Sequence, residues 1–86
     1  MRVRRLEITP YSVRKGVVVK VELIGEEEIE MVRQASRMLM EGIVDVDFET
    51  WFRKEILPWI PEALQADVLE AVYWEEDGWL VIDVGW

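Results

Sequence analysis

The chain reads as a small α+β domain of order ββαααββ, in which a four-stranded antiparallel sheet carries two or three helices on one face. Three observations predict it. The stretch "GVVVKVELI" alternates, with Val17, Val19, Val21 and Leu23 on one face and Val18, Lys20, Glu22 and Ile24 on the other. The stretch "EEEIEMVRQASRMLMEG" repeats apolar residues at intervals of three and four. The closing "AVYWEEDGWLVIDVGW" sets Asp77-Gly78, a strong hairpin signal, between two runs rich in β-branched and aromatic side chains.

The first strand falls in "RVRRLEIT", where Arg2, Arg4, Leu6 and Ile8 share a side and Leu6 and Ile8 mark it as the core side. Pro10, Ser12 and Gly16 supply turn chemistry. The connection is too short for a crossover helix, so strands one and two pair antiparallel.

Gly25 ends the second strand, and helix one follows with Ile29, Val32, Ala35 or Ser36, Leu39 and Ile43 on its buried stripe. Glu26, Glu27 and Glu28 crowd its first turn, where the helix dipole favours carboxylates, and Gly42 stops it. Met31, Met38 and Met40 flank the stripe as gap-fillers. Helix two is expected in "DFETWFRKEILPWI", with Asp47 as N-cap and Phe48, Trp51, Phe52, Glu55 or Ile56 and Trp59 on one stripe, which assigns Trp51 and Trp59 to the core. Pro58 ends it irregularly. Pro61 suits the first turn of helix three, "PEALQADVLEA", whose Leu64, Val68 and Ala71 or Val72 lie on one side.

In the last hairpin, a two-residue loop sets Trp74 opposite Val81 and a four-residue loop sets it opposite Trp79. Either way Val72, Trp74, Trp79, Val81 and Asp83 share one side, and Tyr73, Glu75, Leu80, Ile82 and Val84 the other. A three-residue loop with a bulge would break this parity. A helix three that ran on through Tyr73 and Trp74 would turn Trp74 inward instead.

Leu80, Ile82 and Val84 suit the helix-covered side. That leaves Val72, Trp74, Trp79 and Val81, joined by Val18 and Ile24, on a face that a helix-backed sheet normally makes polar. These four residues are the candidate protein-binding site, and homodimerisation through them is the leading expectation, because an uncovered apolar face is a liability in a monomer.

Composition bounds the rest. With 86 residues, 51% of them hydrophobic and 33% charged, the chain suits one globular domain spanning 1–86. Cysteine and histidine are both absent. That removes thiol nucleophiles, thiolate metal sites and the commonest general base, so the expectation is a non-enzymatic module with no cofactor and no metal.

Asp45, Asp47 and Glu49 alternate like the opening of a calcium loop, but Thr50 stands where that loop needs glycine and Ile56 where it needs a bidentate glutamate. Glu75, Glu76 and Asp77 sit at a solvent-facing turn without the burial that would split their acidities. Thr9, Ser12, Ser36 and Thr50 have no histidine to activate them, and no phosphate-binding glycine loop occurs.

The net charge of -8 hides an asymmetry. Residues 1–20 hold six cations against Glu7 alone, a net of +5, which leaves -13 for the remainder. Nucleic-acid binding by the basic hairpin, through Arg2, Arg4, Arg5, Tyr11, Arg14 and Lys15, is therefore the runner-up reading, opposed by the repulsion the acidic body exerts on a phosphate backbone. An acidic inhibitor of a basic-surfaced protein is a further alternative. Asparagine is missing and glutamine limited to Gln34 and Gln65, the composition of a thermophile's protein. No signal-peptide core or membrane-length apolar run is visible, so cytoplasmic residence is expected.

Overall fold

The computed structural model describes residues 4–86; Arg2 of the basic set lies outside them. Strands β1 (Leu6–Pro10) and β2 (Gly16–Glu22) are followed by helices α1 (Gly25–Met40) and α2 (Val46–Trp51), a π-turn (Phe52–Ile56) and a 3₁₀ turn (Leu57–Trp59). Helix α3 (Glu62–Glu70) and strands β3 (Val72–Glu76) and β4 (Trp79–Gly85) complete the chain. The sheet order is β1-β2-β4-β3, every neighbouring pair is antiparallel, and the helices pack against one face. This is the α+β, ββαααββ architecture that the sequence predicts.

The strand register explains the core. On the helix side one row runs Leu6, Val21, Leu80, Glu75, the next Ile8, Val19, Ile82, Tyr73, and the last Pro10, Val17, Val84. Val19, Val21 and Leu80 are fully buried, and β-branched side chains pack well on such a pleated surface. Val32 and Ala35 of α1, Phe48 of α2 and Val68 of α3 close over them.

Helix α1 ends where glycine allows it. Gly42 takes φ +78, its N–H donates to the Leu39 carbonyl, and the Ile43 N–H donates to the Met38 carbonyl. This is a Schellman closure. It turns the chain away, so Ile43 is exposed instead of continuing the α1 stripe, and Met40, expected to fill a gap beside that stripe, is exposed as well. At the first hairpin Gly16 lies against β4, where a Cβ would collide with the Val84 carbonyl oxygen.

The second helical segment departs from expectation in two respects. The N-cap is Asp45, not Asp47: its Oδ1 accepts the Asp47 and Phe48 N–H groups at 3.1 and 3.2 Å, so the helix starts at Val46. Trp59, assigned to the core by its helical phase, is 77% exposed. The cause is Pro58, which cannot donate to an i−4 carbonyl and clashes with it, so the chain widens into the π-turn and then tightens into the 3₁₀ turn. Through this segment the buried residues are Phe48, Phe52, Ile56 and Ile60, a spacing of four that a pure α-helix does not keep. Trp51 stays partly buried against the core as expected. Helix α3 stops at Glu70, so Trp74 lies on a strand.

Two substitutions separate these roles. Ile56→Ala should cost about 2–5 kcal/mol, as a truncation in a closed core, whereas Trp59→Ala should stay within about 0.5 kcal/mol. Urea unfolding midpoints of the two variants check the contrast.

Candidate functional site

The helix-free face of the sheet is also built in rows. Glu22 sits opposite Trp79, which sits opposite Glu76, and the Glu22 N–H donates to the Arg5 carbonyl at 2.9 Å, so the first row runs Arg5, Glu22, Trp79, Glu76. The second runs Glu7, Lys20, Val81, Trp74, and the third Thr9, Val18, Asp83, Val72. Charge of both signs therefore gathers on the β1 and β2 half, while the β4 and β3 half holds the large apolar side chains together with the acids Glu76 and Asp83. Asp77 (φ +50) and Gly78 (φ +83) make a two-residue turn of the type I′ pattern, which sets Trp74 opposite Val81.

The four candidate residues share this face but not the same exposure. Val72 is 57% exposed and Trp74 37%, whereas Val81 is closed in at 5%. Lys20 and Trp74 lie directly across from Val81 on either side. Trp79 is half-buried beneath two cations, with the Arg5 guanidinium 5.4 Å and the Lys20 ammonium 5.2 Å from its ring centre. Such contacts are worth about 0.5–1 kcal/mol each at an exposed site. Ile24, which the alternation would add to this face, instead caps the start of α1.

The basic residues do not converge. Arg4 turns to the helix side, donates twice to the Glu28 carboxylate at 2.7 and 3.0 Å and once to the Glu22 carbonyl at 2.8 Å, and lies 5.6 Å from the Trp51 ring centre. Glu28 also accepts the Ile24 N–H. Burial pushes the Glu28 carboxyl upward, but the bonds from Arg4 and Ile24 outweigh it and hold its pKa below the ordinary value.

At the other end of the β1–β2 hairpin, Tyr11 donates to Asp83 and the Arg14 guanidinium, 3.8 Å above the Tyr11 ring, donates to the same carboxylate at 2.9 Å. These two bonds, Tyr11's first, lower the Asp83 pKa. Arg5 lies 3.5 Å from Glu7, and Lys15 is solvent-exposed in the turn. The sequence singled out Arg5, Tyr11 and Arg14 but not their targets, because Trp79 and Asp83 become their neighbours only through the β2–β4 register.

Asp45 is engaged as a helix cap, and Glu49 pairs with Arg53 at 3.1 Å. No helix among the described residues is long and apolar enough to cross a membrane. Comparison with family models, curated proteins and solved structures finds no match, so function must be argued from this geometry.

Glu28 and Asp83 have lowered pKa values, and so does Glu75, which accepts the Gly78 N–H at 2.8 Å and an Arg33 bond at 2.8 Å. A carboxylate lowered in the folded state lends stability above its unfolded pKa and loses it as pH falls through the folded one. The urea midpoint should therefore be level from neutral pH down to about 5 and fall below about 4. Asp83→Asn should flatten part of that fall, as urea titrations at stepped pH would reveal.

Proposed function

We propose that the protein is a non-enzymatic interaction module that self-associates through the helix-free face of its sheet, using Val72, Trp74, Trp79 and Val81. One observation carries this reading: Trp74 and Val72 are solvent-exposed on an edge strand, directly beside Val81 and Trp79, on the side of the sheet that no helix of the described residues covers. Apolar surface of that kind is what a twofold partner removes from water.

Size supports using the whole face. Four strands at about 4.8 Å and six residues at about 3.4 Å make a face of roughly 19 by 20 Å in projection. A standard interface buries about 800 Å² per partner, about twice that projected area, so the contact must use the whole face, charged half included, and extend past its rim. That half holds Arg5 and Lys20 together with Glu7 and Glu22, so it carries both signs of charge, which a second copy of the same face can complement.

Nucleic-acid binding by the basic hairpin is the weaker reading. Arg4 is held by Glu28 and Arg14 by Asp83, and the remainder of the chain is strongly acidic.

Sedimentation equilibrium tests the proposal. The wild type should be a dimer that persists at high salt, and Trp74→Ser with Trp79→Ser a folded monomer. A wild-type monomer, or a double variant that fails to fold, sinks it. DNA or RNA binding that falls steeply with salt and is lost in Arg5→Ala with Lys15→Ala, which spares the structural Arg4, would promote the alternative.

A further inference from the structure

On the helix side, away from the tryptophan face, a cleft of about 130 Å³ opens between the end of α1, the start of α2 and the end of α3. Its position follows from the caps. The Schellman turn lifts residues 41–44 off the sheet, and Asp45 then starts α2 beneath them, which leaves Val44 exposed at the rim across from Leu69 of α3.

The aromatic part of the lining is Phe48, Phe52 and Tyr73. Phe48 and Tyr73 are stacked with centroids 4.5 Å apart and planes at 13°. The charged part is Asp45, Glu49 and Glu70, and no lysine or arginine lines the cleft among the described residues. Glu70 makes no ion pair among them.

The Tyr73 hydroxyl is the least expected group here. The residue is half-buried, and its hydroxyl, still open to solvent, has no hydrogen-bond partner among the described residues. Burial first, then the negative charge of Asp45 and Glu49, push its pKa up to about 12. At neutral pH it is a phenol held in a negative field.

We propose that this cleft binds a small organic ammonium ion of side-chain size, with its apolar body against the aromatic lining and its charged head at the Asp45, Glu49 and Glu70 rim. The volume sets the size: a cavity of about 150 Å³ accepts a benzene-sized guest, so this one takes a single ring or a short alkyl chain. The sign of the rim sets the charge. A cation gains from three carboxylates and from the half-buried ring of Tyr73, while an anion meets only repulsion. The phenol oxygen of Tyr73 supplies an acceptor for an ammonium N–H. Arg53 offsets part of the field through Glu49, whereas Asp45 and Glu70 have no ion-pair partner among the described residues.

Amide-resolved NMR titration of the full chain with phenethylammonium tests the site, with phenethyl alcohol as neutral isostere and hydrocinnamate as anion. The ammonium should move the amides of Val44, Leu69 and Ala71 with a Kd of about 1 mM. The alcohol should bind about tenfold more weakly, and the anion not at all. Glu49→Gln with Glu70→Gln, both on helix surfaces, should weaken the ammonium by about tenfold. Trp74→Ser with Trp79→Ser should leave its Kd unchanged, so this site stands or falls independently of self-association. Scattered shifts, equal binding of all three probes, or ammonium binding indifferent to the glutamate substitutions would overturn the proposal.

Discussion

The molecule depends on one non-local event, the antiparallel pairing of β2 with β4. Every core row passes through it: Val17 against Val84, Val19 against Ile82, Val21 against Leu80. The edge strands are local additions, since β1 joins β2 and β3 joins β4 through short hairpins. Closing the central pair draws together segments separated by most of the chain, and the entropy of that closure is offset by burying six large apolar side chains at once. The Leu23 N–H bond to the Gly78 carbonyl extends this contact past the strand ends and sets the first and second hairpins in register. The helical segment must then fit between the end of β2 and the start of β3, which confines it to one face.

That layout makes β1 and β3 the exposed edges, and each is blunted. β1 is preceded by Arg5, carries Glu7 and ends in Pro10, which has no ladder donor. β3 carries Glu75 on its helix side, only 8% exposed, clamped by Arg33 of α1 and by the Gly78 N–H. An inward-pointing charge on an edge strand is a device against strand addition, because a new strand would compress a carboxylate already desolvated. Edge-to-edge pairing is thus disfavoured at both sides of the sheet. The apolar residues that remain for association lie on the face, which is why the contact proposed above is face to face.

How much of this was legible depends on whether a signal was local. The alternation of residues 17–23 and the Asp77-Gly78 turn each lie within one element, and both gave the strand faces correctly, including Leu80, Ile82 and Val84 toward the helices. Trp59 was misread because a stripe drawn at 3.6 residues per turn assumes a continuous α-helix, and Pro58 converts the preceding turns to another period. The Asp45 cap was displaced by two residues because Asp45 and Asp47 are equally good caps by type, and the choice rests on where the chain leaves the Schellman turn. The cleft was invisible, since its lining comes from three helix ends and two strands and no spacing in the sequence brings Tyr73 to Phe48. The cover that Arg5 and Lys20 give Trp79 was hidden for the same reason.

One strand nonetheless writes both surfaces. β3 alternates Val72, Trp74 and Glu76 outward with Tyr73 and Glu75 inward, so the tryptophan face and the cleft are successive residues of the same chain seen from opposite sides. Their separation is only as secure as the register, because a slip of one residue exchanges the two faces. Tyr73 would then leave Phe48 for solvent, and the larger indole of Trp74 would have to take the place of the Tyr73 ring against Phe48. The register is held by a turn whose two central residues both take positive φ, a conformation that Asp77 tolerates and Gly78 adopts freely. The two-residue turn at 77–78, remote from either surface in chemistry, is therefore what assigns one aromatic residue to each.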